Sequence, residues 1–210
     1  MSPEAVDTAA VNSVDNMAPV VAPEALALGD KVLKSYDRSG DLVICVAKEN
    51  LLDSLKTLKE SADLEYTLFS ECVAVDYSTW THERDFDDRF EVVYNLISIK
   101  LNRRIFVKTS VSDGQSIPTA KSIYLGAEYP EKEIGDLYGI IFAGNELPSG
   151  SRFMLPDDWV GHPLRKEYPL GGEEVLFDKG DRGPGVQNQS SPHAGESFEG
   201  KTGSQDISGR

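Results

Sequence analysis

Nowhere in this 210-residue chain do apolar residues run long enough to cross a bilayer, since a spanning helix needs roughly 18 to 20 of them in succession. Cations are also scarce. Lysine and arginine number 21 against 35 acidic residues, giving a net charge of -14, so nucleic acid is not an expected partner. The three histidines, His82, His162 and His193, each stand alone, and none has a second histidine at i+3 or i+4 to build a metal face. The two cysteines, Cys45 and Cys72, lack CxxC spacing and lie within the apolar runs LVICVA and ECVAVDY. They read as buried thiols in strands, which fits a reducing compartment. No GxGxxG follows a strand, and neither GxxxxGK[ST] nor GxSxG occurs, so a phosphate cradle and a nucleophile elbow are both missing. The N-terminus carries neither the basic start and apolar stretch of a secretory signal nor the arginines of a transit peptide, and the expectation is a cytosolic chain.

Large apolar side chains concentrate in the middle. Residues 1–30 hold Glu4, Asp7, Asp15, Glu24 and Asp30 with no lysine or arginine, and 1–28 is expected to be an acidic, flexible N-terminus. From Gly171 to Arg210 lie nine of the 18 glycines, and 179–210 is expected to be a disordered tail. Between them the sequence predicts an α+β domain over 29–145 and an extended segment over 146–178.

Within the domain, EALALGDKVLKSY carries a weak apolar stripe and predicts a helix ending before Ser39-Gly40. DLVICVA is a continuous β-branched run, expected to be a strand buried on both faces. ENLLDSLKTLKESADL places Leu51, Leu52, Leu55, Leu58 and Ala62 on one helical face and Asp53, Lys56, Lys59 and Glu60 on the other. Three strand-like runs follow, YTLFSECVAVDY, FEVVYNLISIKL and RRIFVKTSV, the last two forming a tight hairpin around Asn102-Arg103. EYPEKEIGDLYG predicts a helix with Pro130 in its first turn, Ile134, Leu137 and Tyr138 on its buried face, and Gly139 as its stop. The order β-α-β-β-β-α implies a small, mostly antiparallel sheet with helices packed on one face.

The chemistry that could be catalytic is sparse. HERDFDDRFE clusters Glu83, Asp85, Asp87, Asp88 and Glu91 with Arg84 and Arg89, but lacks a calcium-loop spacing, and it reads as a solvated loop with local ion pairs. His162, between Gly161 and Pro163, either hydrogen-bonds a partner or orients its own loop. The segment RFMLPDDWVGHPLRKEYPL has no helical or strand period, yet it carries Phe153, Met154, Leu155, Trp159, Leu164, Tyr168 and Leu170. Those side chains need a surface to bury them, and another subunit is the expected one. Of the adjacent cations Arg165 and Lys166, arginine is the stronger candidate for a desolvated pairing with a partner's carboxylate.

FEVVYNLISIKLNRRIFVK, EKEIGDLYGIIF and LPDDWVGHPLRKEYPL, in that order, resemble the C-subunit family of NADH:quinone oxidoreductase, respiratory complex I, over about residues 40 to 178. The resemblance implies a non-catalytic subunit of the peripheral arm that packs on the hydrogenase-like large subunit and near the iron-sulfur subunits. NADH and quinone would be bound by other subunits. Membrane association would run through the complex, at the cytoplasmic side of the cell membrane. It implies partner-binding roles for Glu131, Glu133 and Asp136 in the helix, and for Trp159, His162, Pro163, Leu164, Arg165, Lys166 and Tyr168 in the segment, with Gly139 and Gly161 as further signature positions. Two stretches depart from the family. Lys132 replaces the arginine of a Glu-Arg-Glu triplet, and residues 145–152 replace a histidine-proline-aspartate turn with paired arginines. Related subunits serve membrane-bound hydrogenases and ferredoxin-linked or deazaflavin-linked complexes, so the donor is a family-level expectation.

On this reading no flavin, metal or iron-sulfur cluster belongs to this chain; the clusters and FMN sit in partner subunits. The purified chain is expected to be colourless and metal-free after dialysis, and a stoichiometric visible chromophore or retained metal would overturn this.

Overall fold

Alternating or continuous apolar runs, together with one largely polar run, build a single five-stranded sheet. The computed structural model describes residues 22–168. The elements are helix α1 (Pro23–Leu28), strands β1 (Val32–Arg38) and β2 (Asp41–Val46), helix α2 (Leu51–Glu60), strands β3 (Leu68–Asp76), β4 (Phe90–Ser98), β5 (Arg103–Val111) and β6 (Ser116–Pro118), helix α3 (Glu128–Tyr138) and strand β7 (Ile141–Ala143). The main sheet runs β1-β2-β5-β4-β3, and only β2 and β5 pair parallel. Strands β6 and β7 form a separate parallel pair. This is the α+β architecture expected from the sequence.

The β-branched run of β2 is buried on both faces, as its composition predicts. Leu42, Ile44 and Val46 join Leu51, Leu55 and Leu58 of α2, Tyr94 and Leu96 of β4, and Ile134 of α3 in the main core. Val43 and Cys45 face the other side with Tyr36, Phe86 and Phe106. Both cysteines are buried and unpaired, and burial pushes the Cys45 thiol up to about 12, which leaves it an inert apolar group near neutral pH.

Three expectations shift. The helix predicted over residues 24–36 is only the six residues of α1, because Gly29, at φ 56°, ends it. The following VLKSYDR pairs with β2 instead, Tyr36 opposite Val43, and pairing outweighs the weak stripe. Helix α2 closes at Glu60, so Ala62 is exposed, and Leu64 and Tyr66 enter the core in its place. Finally, the domain begins before residue 29, since Ala22 and Leu28 are buried and Glu24 is wholly so. The expectations for the acidic residues before Ala22, for 169–178, for the glycine-rich tail and for His193 lie outside the described residues.

The hairpin between β4 and β5 uses four residues, Ile99–Asn102. Asn102, rather than glycine, takes the left-handed conformation at φ 49° and donates its N–H to the Ile99 carbonyl at 3.3 Å.

Glu24 ties α1 to the sheet. Its carboxylate accepts from the Tyr66 hydroxyl at 2.7 Å and from Arg103 at 3.2 Å. Tyr66→Phe should cost on the order of 1–3 kcal/mol by leaving a buried carboxylate short of a donor. Equilibrium denaturation checks this, and an unchanged midpoint would show that the bond carries no weight.

Candidate functional site

The C-terminal end of α3 is where the chain's unusual features converge. A helix leaves its last four carbonyls without intrahelical partners, and here the residues after β7 supply them. Gly139, in the left-handed conformation at φ 73°, turns the chain and donates its N–H to Gly135 O at 2.9 Å. A Cβ at Gly139 would lie 2.6 Å from Nε2 of His162, so glycine is demanded by contact as well as by conformation. His162 Nδ1 lies 2.8 Å from the Asp136 carbonyl, which can only accept, so Nδ1 carries a proton. The Leu164 N–H donates to Leu137 O at 3.1 Å, and Arg165 Nε donates to Tyr138 O at 2.6 Å. Three successive carbonyls of the last turn are thus capped by three residues of the segment 145–168, hereafter the strap.

Three carboxylates fasten the strap from below. Asp136 points off α3 and accepts the backbone N–H groups of Phe153, Met154 and Leu155 at 3.1, 2.8 and 3.0 Å, with Arg152 Nη1 at 3.0 Å. Burial alone would raise its pKa, but these donors overcompensate and hold it below the usual carboxylate range. Arg152 also donates to the carbonyls of Trp159 and Gly161 at 2.8 and 2.9 Å, closing the loop on itself. Asp76, at the end of β3, accepts the Lys166 N–H at 3.0 Å and the Arg89 guanidinium at 2.8 and 3.1 Å, and its pKa likewise falls well below normal against the push of burial. Asp113, the most exposed of the three, receives Arg165 at 2.8 and 3.1 Å and Arg89 at 3.0 Å, while Arg89 also pairs with Glu167. Both guanidinium groups stack on the Phe90 ring, at 4.8 and 5.3 Å.

The residues singled out from the sequence therefore divide. Glu131 faces the core, where it accepts from Ala120 N–H at 2.7 Å, Asn145 Nδ2 at 3.0 Å, Tyr94 OH at 3.4 Å and the Thr119 hydroxyl. Burial raises its pKa and these bonds oppose the rise. Asp136, His162 and Arg165 hold the strap down. Arg165, expected to meet a carboxylate on another subunit, meets Asp113 of its own chain, because the strap folds back over the end of the sheet. Of the two readings of His162, its ring hydrogen bond supports loop orientation. Trp159 and Tyr168 stack, with centroids 6.4 Å apart, and Pro163 is half-buried. Glu133 and the side chains of Leu164 and Lys166 face outward, and neither charge has a partner among the described residues.

Sequence reading missed the roles of Asp76, Arg89 and Asp113, which act on the strap from distant parts of the chain, and of Arg152 within the strap itself. The HERDFDDRFE cluster is also more structured than a solvated loop. Asp85 accepts from Lys34, Tyr36 and Lys108 at 2.8, 2.6 and 2.6 Å, Asp88 binds Ser110 at 2.6 Å, and Glu91 is buried against Lys108 at 2.6 Å. The loop is riveted to the sheet because strand residues on that face supply its cations and hydroxyls. Among the described residues no group of histidine, cysteine and carboxylate side chains is arranged to hold a metal ion, and no helix is long and apolar enough to cross a membrane.

A sequence model of the family described as respiratory-chain NADH dehydrogenase, 30 Kd subunit, matches residues 44–174. The chain is 39% identical to the C subunit of the NADH-quinone oxidoreductase of Roseiflexus castenholzii over 159 residues, covering 75% of this chain and 87% of that one. It is 44% identical to the protein of the same name from Rickettsia prowazekii over 131 residues, 61% of this chain and 62% of that one. Among solved structures, a chain of a membrane-bound sulfane sulfur reductase, an archaeal respiratory membrane complex, superposes with a TM-score of 0.55 at 25% identity, covering 75% of this chain and 86% of that one.

The depressed pKa values of Asp136, Asp76 and Asp113 set a direction for acid. A carboxyl whose folded pKa lies below its unfolded value near 3.9 stabilises fully above that value and loses the contribution as pH falls through it. Glu131, with a raised pKa, works the opposite way. The strap is expected to stay closed at neutral pH and to loosen below about pH 4, while Asp136→Asn should loosen it at pH 7. Hydrogen exchange at residues 153–155 should then be at least about tenfold faster in the variant, equivalent to ~1.4 kcal/mol; equal rates would show that Asp136 does not hold the strap.

Proposed function

Because the chain belongs to the family of the respiratory-chain NADH dehydrogenase 30 Kd subunit, the C subunit of complex I, we propose that it is a non-catalytic assembly subunit of an NADH:quinone oxidoreductase. It sits in the peripheral arm, on the cytoplasmic side of the membrane, and packs through its strap on the hydrogenase-like large subunit beside the iron-sulfur subunits. FMN and the iron-sulfur clusters belong to those partners, as do the NADH and quinone sites. Its contribution to electron transfer is to hold the protein that surrounds the carriers.

The observation that carries this reading is the division of the strap into two sides. Its backbone and its buried ion pairs are satisfied inward, while Met154, Trp159, Val160 and Leu164 are 59, 39, 84 and 47% exposed. Tyr129 of α3, 63% exposed and stacked 5.8 Å from Phe153, extends the apolar side. Apolar side chains on a backbone fixed this firmly make a preorganised contact surface, which lowers the ordering cost of association. The exposed Glu133 and Lys166 stand ready for charges on the partner.

A second reading has one specific observation behind it, the fold shared with a chain of the archaeal sulfane sulfur reductase complex. The same scaffold would then serve a complex with another electron donor. The names of the relatives at 39–44% identity favour NADH and quinone.

Val160→Asp and Met154→Asp alter exposed side chains only, so the free chain should melt within about 1 °C of the parent. Truncating a central contact residue costs on the order of 2 kcal/mol or more. The affinity for the rest of the peripheral arm should therefore fall by roughly 30-fold, and recovery of the assembled arm and NADH:quinone reductase activity should fall together. Normal assembly and activity in both variants would refute the proposal.

A further inference from the structure

We infer that the outward face and free edge of β3 form a second docking surface, fitted to an extended, basic segment of a neighbouring subunit. The inference rests on the reading that this chain works within a multisubunit complex, but it uses none of the strap's residues.

The main sheet has two edge strands, and they differ. Exposed edges invite pairing with foreign strands, and they are ordinarily blunted by charge or by a bulge. Both have a register shift, that of β1 lying between Val32 and Lys34, but β1 carries three charges, Lys34, Asp37 and Arg38, where the outward face of β3 carries only Glu71. In β3 the register shift lies at Phe69/Glu71, and from Glu71 to Asp76 the strand runs regularly against β4 with no strand on its other side among the described residues. Cys72, Ala74 and Asp76 turn into the domain, leaving Glu71, Val73 and Val75 on the outward face, where the two valines are 42 and 36% exposed.

That face continues past the strand. Tyr77 follows with the same orientation as Val75, and Trp80 stands edge-on to its ring at 6.1 Å with 52% of its surface exposed. His82 packs against Trp80 at 5.1 Å. A half-buried tryptophan beside two exposed valines is the composition of an interface centre rather than of a solvated loop.

Charge selects the occupant. Glu71, Glu83 and Asp87 are exposed; no hydrogen bond or ion pair reaches the carboxylates of Glu71 and Asp87 among the described residues, and Glu83 has only the longer-range attraction of Lys34, whose ammonium is bonded to Asp85. The cations that could neutralise them are engaged. Arg84 donates to the carbonyls of Asp87 and Asp88 at 2.6 and 2.5 Å and covers Tyr77, and Lys108 lies between Asp85 and Glu91. An apolar centre with unpaired carboxylates around it is complemented by a segment carrying apolar and basic residues. The unpaired strand edge calls for that segment to be extended, so that its backbone bonds to β3 and alternate side chains meet Val73 and Val75.

The test uses the assembled complex. A photo-crosslinking benzoylphenylalanine replaces Val73, and hydrogen exchange is followed along β3 in the free chain and in the complex. The expected result is an adduct to a peptide of another subunit with alternating apolar residues and lysine or arginine nearby, together with at least about tenfold slower exchange at outward-pointing amides of β3 on assembly. Glu71→Lys should weaken that protection without changing the melting temperature of the free chain. Assembly with unchanged exchange at β3 overturns this inference alone, as does an adduct to an acidic segment, to a helix or to a second copy of this chain. Failure of the chain to assemble with any membrane complex overturns the assembly role as well.

Discussion

Everything distinctive in this domain depends on how one helix ends. The last turn of α3 offers three carbonyls and one carboxylate to a chain that has just reversed at Gly139, and the strap returns a histidine, a set of backbone N–H donors and two arginines to that spot. Neither side is satisfied without the other. The helix C-terminus carries partial negative charge, which favours the nearby guanidinium of Arg165. The strap has no regular secondary structure to consume its own donors. A segment that looks irregular is therefore held as firmly as a strand, by a helix end rather than by a ladder.

This arrangement explains why so many polar residues are invested around the end of one helix. Asp76, Asp113 and Asp136 all serve to position backbone or arginine, and Glu131 braces the opposite side of α3. Buried carboxylates with shifted pKa values often mark catalytic sites. Here each faces a named donor of the fold, backbone N–H groups and Arg152 at Asp136, Arg89 and the Lys166 N–H at Asp76, and Ala120 N–H and Asn145 at Glu131. The shifts report assembly of the scaffold.

Most of the sheet and two of the helices were legible, because β4, β5, α2 and α3 each have a dominant buried face and β2 is a continuous apolar run buried on both. What periodicity could not deliver was β1, whose single buried tyrosine, Tyr36, gives no alternation to read. Tertiary pairing with β2 decided its conformation. The candidate site was half legible. The strap's aperiodic apolar content marked it as a surface, and family resemblance marked the residues. Neither could show that Arg165 and Asp136 turn inward, since their partners lie at Asp113 and at residues 152–155, and such pairings depend on where the chain folds back. The HERDFDDRFE cluster read as a solvated loop with local ion pairs for the same reason, the counter-charges of Asp85 lying on β1 and β5.

The single parallel contact of the sheet carries a consequence for how the molecule forms. Hairpins β1–β2 and β4–β5 close short turns, and β3 joins β4 across one loop, so each pairing is kinetically local. The β2–β5 contact must instead bring together strands separated by α2, β3 and β4, as in the pairing of Ile44 with Val107. Its closure entropy is the largest in the sheet. Joining the β1–β2 hairpin to the β3–β4–β5 meander therefore carries the largest closure cost in the sheet, and the leucines of α2, lying in the intervening chain, pack into the core that offsets it.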